Sequence, residues 1–195
     1  MLSMKFSCIL LAGGMGNRFG SKKQYAMLHG VKVWKYAYTQ CRLVANEIIV
    51  VGRDVLAGKT RQESVRNGLA QVTNPVVVIV EAVRPLVTSK QILTLAKQVS
   101  DEFPSWAYAM PSNYTIYDFN RHKHLDRKHL YFVQVPQAFK TSILIQAHQL
   151  ASSTYTSDTQ LIETVFGYSP RFLFGGMNLH KITYKEDLKM IEGLL

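Results

Sequence analysis

A short, mostly apolar run at residues 6–11 opens directly into Ala12-Gly13-Gly14-Met15-Gly16-Asn17-Arg18-Phe19-Gly20. That junction constrains the fold more than any other feature of the chain. A brief continuous apolar run reads as a strand buried on both faces, and such strands belong to sheets covered by helices on both sides. Glycines placed straight after it let the backbone take positive φ and approach a ligand closely. Successive N–H groups can then converge on phosphate oxygens.

The rest of the chain keeps the same alternation. Residues 33–44 carry Trp34, Ala37, Tyr38, Cys41 and Val44 at helical spacing, and residues 48–51 and 76–80 form further apolar runs. Helices are expected at 64–72 and 89–99, each with a Ser or Thr near its start, and a strand at 106–110 ended by Pro111. Extended stretches at 114–119 and 130–133 flank a polar segment, as in a short β-arm at about 113–133. Helices at 142–151 and 158–165, a strand at 171–174 and a last helix from Lys185 complete the pattern. The expected fold class is α/β: one doubly wound, Rossmann-like domain over residues 1–195, with a mainly parallel sheet and the arm within it.

Charge narrows the function. The chain has 195 residues, with 23 Lys plus Arg against 13 Asp plus Glu, for a net charge of +10. Seven of those cations (Lys5, Arg18, Lys22, Lys23, Lys32, Lys35 and Arg42) precede the first acid, Glu47. An anionic partner is implied: nucleic acid, an anionic membrane or a phosphorylated small molecule. With 47% apolar residues the chain can bury a sizeable core, which excludes disorder as its main state. Cys8 and Cys41 are too few for a disulfide scaffold and lack metal-ligand spacing. No stretch approaches the roughly 20 apolar residues of a membrane span, so the expectation is a cytoplasmic protein with no membrane partner.

Three phosphate-loop patterns compete for the glycine segment. A dinucleotide fingerprint fails, because Gly14-x-Gly16 is completed by Phe19 rather than glycine, and no acid follows until Glu47. A Walker loop fails because no Gly-x-x-x-x-Gly-Lys-Ser/Thr string is present. What remains is Gly-Gly-x-Gly-x-Arg running on to Lys23, with Arg18 offering a planar fork and Lys23 a compact charge. This resembles the loop of the nucleotidyltransferases that make nucleoside-diphosphate sugars and polyols.

Further strings sharpen the resemblance. Gly58-Lys-Thr-Arg61-Gln-Glu-Ser64-Val-Arg-Asn-Gly68-Leu69 is similar to the Gly-x-x-Arg-x-x-Ser-Val-x-x-Gly-Leu motif of the cytidylyltransferases for methylerythritol phosphate and ribitol phosphate. In that family's order follow Glu81-Ala-Val-Arg84-Pro85, the stretch from Pro111 to Thr115, Arg127, Gln134-Val-Pro-Gln-Ala-Phe139 and Asn178-Leu-His-Lys181-Ile-Thr183. The resemblance implies that Ala12, Gly13, Gly14, Gly16, Gly58 and Ser64 bind the nucleotide, and that Arg18, Lys23 and Lys181 act on the phosphates and the reacting centre. It implies that Thr115, Arg127 and Thr156 bind the acceptor, and that Glu81 stands near Mg²⁺. The implied reaction is transfer of CMP from CTP to a sugar or polyol phosphate, with release of pyrophosphate, by a homodimer.

The departures fall mainly in the acceptor half. Glu81 replaces Asp, Tyr114 and Tyr117 replace an Asp and a Lys, Val135 replaces a Thr, and Ser157 interrupts a Thr-Asp-Asp string. Met177 and an extra His180 alter the last motif, and the segment between Val51 and Gly58 is short. The alternatives these leave are a different phosphorylated acceptor or a catalytically weakened, nucleotide-binding relative. The basic run from Arg121 to His129 reads as a solvated arm or a dimer contact. It has no aromatic RNA-binding signature beside it, and no nucleic-acid partner is expected.

Overall fold

A computed structural model describes residues 4–195. Strand β1 (Phe6–Leu11) leads into the glycine loop, which ends in a 3-10 turn at Lys23–Tyr25. A two-strand ribbon, β2 (Met27–Leu28) and β3 (Val31–Lys32), then delivers the chain to α1 (Val33–Arg42). Next come β4 (Glu47–Val51), α2 (Arg61–Leu69), β5 (Val76–Glu81), α3 (Ser89–Gln98) and β6 (Ser105–Pro111). A second ribbon, β7 (Ile116–Asp118) and β8 (Lys123–Leu125), precedes the long β9 (Tyr131–Lys140). The chain closes with α4 (Thr141–Leu150), α5 (Asp158–Phe166), β10 (Arg171–Phe174) and α6 (Lys185–Glu192).

The main sheet has the order β10-β6-β9-β5-β1-β4. β1 runs parallel to both β4 and β5, and β10 is parallel to β6, while β9 is antiparallel to β5 and β6. Alternation along β1 shows why both faces are covered. Phe6, Cys8 and Leu10 pack with Ala37 and Cys41 of α1 and Ile92, Leu95 and Ala96 of α3. Ile9 points the other way, to Val65 of α2, Leu144 of α4 and Leu161 and Ile162 of α5. This is the doubly wound α/β arrangement expected from the sequence.

Two strand assignments differ from the sequence expectation. The 130–133 stretch does not pair with 114–119. Instead β7 pairs with β8, Ile116 opposite Leu125, and residues 131–140 form one central strand. Pro136 and the polar Gln134 and Gln137 disguise that strand, because proline cannot donate to a ladder and glutamine interrupts an apolar run. The fold accommodates them with an irregularity opposite Ala107 and Tyr108, where Val135 and Pro136 drop out of the register. Both buried glutamines find partners beyond the sheet: Gln134 Nε2 donates to the Gly176 carbonyl (3.0 Å) and Gln137 Nε2 to Ser157 Oγ (3.0 Å). β9 thus ties the loop before Lys181 and the start of α5 to the centre of the sheet.

A third apolar cluster joins Phe19 and Leu28 to Val83, Ile182 and Ile191. It packs the end of the glycine loop against the segment carrying Lys181. Among the described residues no helix is long and apolar enough to cross a membrane.

Candidate active site

A cleft of about 410 Å³ opens at the carboxyl ends of β1 and β5. Its walls are the glycine loop, the start of α2, Glu81 and Lys181. Ligands of open α/β sheets bind at this edge, where the strand order reverses.

The loop's form follows from its glycines. Gly16 sits at φ +73°, and a Cβ there would strike the Ser21 carbonyl; Gly13 packs where a Cβ would overlap that of Ala57. The Gly16 carbonyl accepts from the N–H groups of Phe19 and Gly20, both at 2.9 Å, which closes the turn. Gln24, fully enclosed, donates to the carbonyls of Ala12 (2.8 Å) and Gly14 (3.0 Å). Those carbonyls are thereby turned inward, while among the described residues the N–H groups of Gly14 through Arg18 donate to no backbone carbonyl. Donors left free on a loop that walls a cleft suit an anion.

The opposite wall is built on α2. Thr60 caps the helix by accepting from Glu63 N (3.0 Å), and Glu63 in turn accepts from Lys59 N (2.7 Å). Ser64 Oγ accepts from Gly58 N (3.0 Å) and donates to the Thr60 carbonyl (2.9 Å). Gly58 and Ser64 are therefore locked together across the mouth of the helix.

Electrostatics decide what the cleft accepts. Arg18, Lys23, Lys59, Arg61 and Lys181 line it against the single carboxylate of Glu81. Lys23 is half-buried, and its ammonium is pulled below its usual range by burial first, then by Lys181 and Arg18, against the weaker opposing pull of Glu81 and Asp187. Arg18 lies over the Tyr184 ring, 5.7 Å from its centre. Such crowding of like charge is relieved by a multiply charged anion.

Glu81 is buried and holds three cations. Arg84 Nε meets Oε2 at 2.8 Å, Lys181 Nζ meets Oε1 at 2.8 Å, and Arg61 Nε lies 3.6 Å from Oε1. Burial alone would raise its carboxyl, but Arg84, Lys181 and Arg61 outweigh it and hold the group far below its ordinary value near 4.5. Mg²⁺ needs near-octahedral oxygen ligation through carboxylates, substrate phosphates and waters. Glu81 is the lone carboxylate lining the cleft, with both oxygens already paired to cations, and no group of three or more potential metal ligands occurs among the described residues. The residues present do not fit a divalent ion held by the chain itself.

Of the residues singled out in the sequence, Ala12, Gly13, Gly14, Gly16, Arg18, Lys23, Gly58, Ser64, Glu81 and Lys181 all line the cleft. Thr115, Arg127 and Thr156 do not. Thr115 and Arg127 are exposed beside the β7–β8 ribbon, with Arg127 Nη1 donating to the Asn113 carbonyl (3.0 Å). Thr156 is exposed before α5 and bonds through N and Oγ1 to Gln160 Oε1 (3.2 and 3.0 Å). Sequence reasoning missed Gln24, Lys59 and Arg61 as contributors. Gln24 directly follows Lys23, and the other two lie inside the Gly58–Leu69 motif, so the signal was at hand without a role attached.

A sequence model of the 2-C-methyl-D-erythritol 4-phosphate cytidylyltransferase family matches residues 6–195. A protein of that name from Chlamydia felis is 36% identical over 219 residues, covering 100% of both chains. One from Aquifex aeolicus is 32% identical over 210 residues, covering 97% of each. The chain belongs to the 2-C-methyl-D-erythritol 4-phosphate cytidylyltransferase family.

It is accordingly a nucleotidyltransferase of the cytidylyltransferase type. Solved structures agree on the fold. The cytidylyltransferase of Thermus thermophilus superposes with a TM-score of 0.84 at 22% identity, covering 98% of each chain. The bifunctional IspDF of Campylobacter jejuni matches with a TM-score of 0.83 at 26% identity over 95% of this chain and 53% of its own length.

Proposed function

We propose that this cytidylyltransferase transfers CMP from CTP to 2-C-methyl-D-erythritol 4-phosphate and releases pyrophosphate. The observation that carries the reading is the cleft itself: a glycine loop with free N–H donors facing five cations and one carboxylate. The names of the relatives favour methylerythritol phosphate over ribitol phosphate as acceptor.

The chemistry needs no nucleophilic side chain. An acceptor phosphate oxygen is already ionised at pH 7 and attacks the α-phosphorus in line with the departing pyrophosphate. Bringing two anions together and stabilising the charge that develops on the leaving group is then the enzyme's task. In this reading the loop from Ala12 to Gly16 cradles the triphosphate, Arg18 and Lys23 meet the leaving pyrophosphate, and Gly58 and Ser64 hold the base. Lys181, tethered to Glu81 at 2.8 Å, serves the reacting centre.

The acceptor groups Thr115 and Arg127 lie away from the cleft of their own copy, which supports a homodimer whose arm serves the partner's site. Exposed Tyr131, Phe172 and Phe174 line one groove beside the arm and offer apolar surface for such a contact. A panel of methylerythritol, ribitol and other polyol phosphates, crossed with the four nucleoside triphosphates and read by pyrophosphate release, tests base and acceptor together. CTP binding without turnover on any acceptor would instead favour a binding module.

A further inference from the structure

A chain of charges runs from the cleft to the start of α5 and is not explained by binding CTP. Asp158, the first residue of α5, is fully buried, and its Oδ2 accepts from Arg61 Nη1 at 2.7 Å. The same guanidinium turns its Nε toward Glu81 Oε1, 3.6 Å away, and that oxygen holds Lys181 Nζ at 2.8 Å. Residues from α2, β5, α5 and the loop before α6 thus meet at one point. Arg61 Nη2 is buried and has no hydrogen-bond partner among the described residues. On the far side His148 Nε2 approaches Asp158 Oδ1 at 3.3 Å, yet neither ring nitrogen makes a hydrogen bond among the described residues. Buried donors left unmet cost stability, and an arrangement that retains them calls for an explanation beyond folding.

Relative distances supply one. Arg61 and Lys181 compete for a single oxygen of Glu81, and Lys181 has it at hydrogen-bond distance while Arg61 stays back. Arg61 makes its shorter contact to Asp158, at 2.7 Å. We propose that Arg61 and Asp158 are positioning residues for Lys181: Asp158 draws the guanidinium toward α5 and so leaves Glu81 Oε1 to orient the ammonium. Without the Asp158 charge, Arg61 closes on Glu81 and displaces Lys181. The segment carrying Thr156 leads directly into α5, so the same contact ties the orientation of Lys181 to that loop. The inference rests on Lys181 acting at the reacting centre in the function proposed above.

A double-mutant cycle on the full-length enzyme tests it, with Asp158→Asn, Lys181→Ala and the pair assayed for kcat, acceptor KM and CTP affinity. The expected result is a loss of about tenfold in kcat for Asp158→Asn, with CTP affinity changed by less than about threefold. In the Lys181→Ala background the same substitution should cost less than about twofold, because the group it acts through is gone. Full multiplication of the two losses would overturn the proposal, as would a defect confined to CTP affinity. Arg61→Lys, which leaves Asp158 a cationic partner but cannot span both carboxylates, is carried through the same cycle in case Asp158→Asn does not fold. A wild-type enzyme silent with CTP and every acceptor would remove the underlying function, whereas an active wild type with a multiplicative cycle would remove this inference alone.

Discussion

Replacing Lys23 with Ala removes the half-buried cation at the end of the phosphate loop. Lys23 is held beside Arg18 and Lys181, where burial first and then those like charges depress its ammonium. An ammonium opposite a unit of developing phosphate charge at about 4 Å, with an effective dielectric near 20, contributes about 4 kcal/mol. Losing one preorganised stabilising group typically costs about 2.7–4 kcal/mol, or roughly 10²–10³ in kcat. The two routes agree, so Lys23→Ala should lower kcat by roughly 10²–10³. Pyrophosphate release at saturating CTP and acceptor measures this, with Lys23→Arg as the control that keeps a charge. Because burial, Lys181 and Arg18 lower the Lys23 pKa, wild-type kcat/KM should fall on the alkaline side before the usual lysine value near 10.5 is reached. Lys23→Arg should move that limb to higher pH. Turnover of Lys23→Ala within about threefold of wild type would refute the assignment of leaving-group stabilisation to this side chain.

Three further outcomes follow from the geometry. Glu81→Gln should destabilise the fold by about 3 kcal/mol at pH 7, since it strips the carboxylate from three partly buried cations. Glu81 has a folded pKa below its unfolded value near 4.5, so its contribution is complete above that value and is lost as pH falls toward the depressed folded pKa. Thermal melts of wild type and variant should therefore converge below about pH 4.5, and a gap constant from pH 7 to pH 3 would contradict the pairing. Gln24→Ala should cost about 1–3 kcal/mol of stability, because it leaves the buried Ala12 carbonyl without its donor and loosens Gly14, and should weaken CTP binding in a calorimetric titration. Gly16→Ala should abolish measurable CTP binding while leaving far-UV circular dichroism unchanged, because the new Cβ meets the Ser21 carbonyl at positive φ.

What was legible in the chain depended on how local its cause is. β10 at Arg171–Phe174 and α3 at Ser89–Gln98 emerge almost residue for residue, since apolar period and a Thr88 cap are local signals. β9 did not, because its middle carries Pro136 and two glutamines whose partners, Gly176 and Ser157, lie 42 and 20 residues away. The β7–β8 ribbon likewise could not be told from pairing with 130–133 by alternation alone. The nucleotide wall was readable from glycine spacing, since backbone freedom leaves a mark in sequence. The Asp158–Arg61 contact and the Lys181–Glu81 contact join residues 97 and 100 apart, and nothing in their neighbourhoods announces those partners. Glu81 shows the limit most clearly. An acid at a motif position suggests a metal ligand, while the fold surrounds it with Arg84, Lys181 and Arg61.

The most direct measurement is pyrophosphate release by the purified full-length chain with CTP and 2-C-methyl-D-erythritol 4-phosphate, beside ATP, GTP and UTP and beside ribitol 5-phosphate. The account predicts turnover with CTP and methylerythritol phosphate well above every other combination. Bound CTP with no pyrophosphate from any acceptor would contradict it.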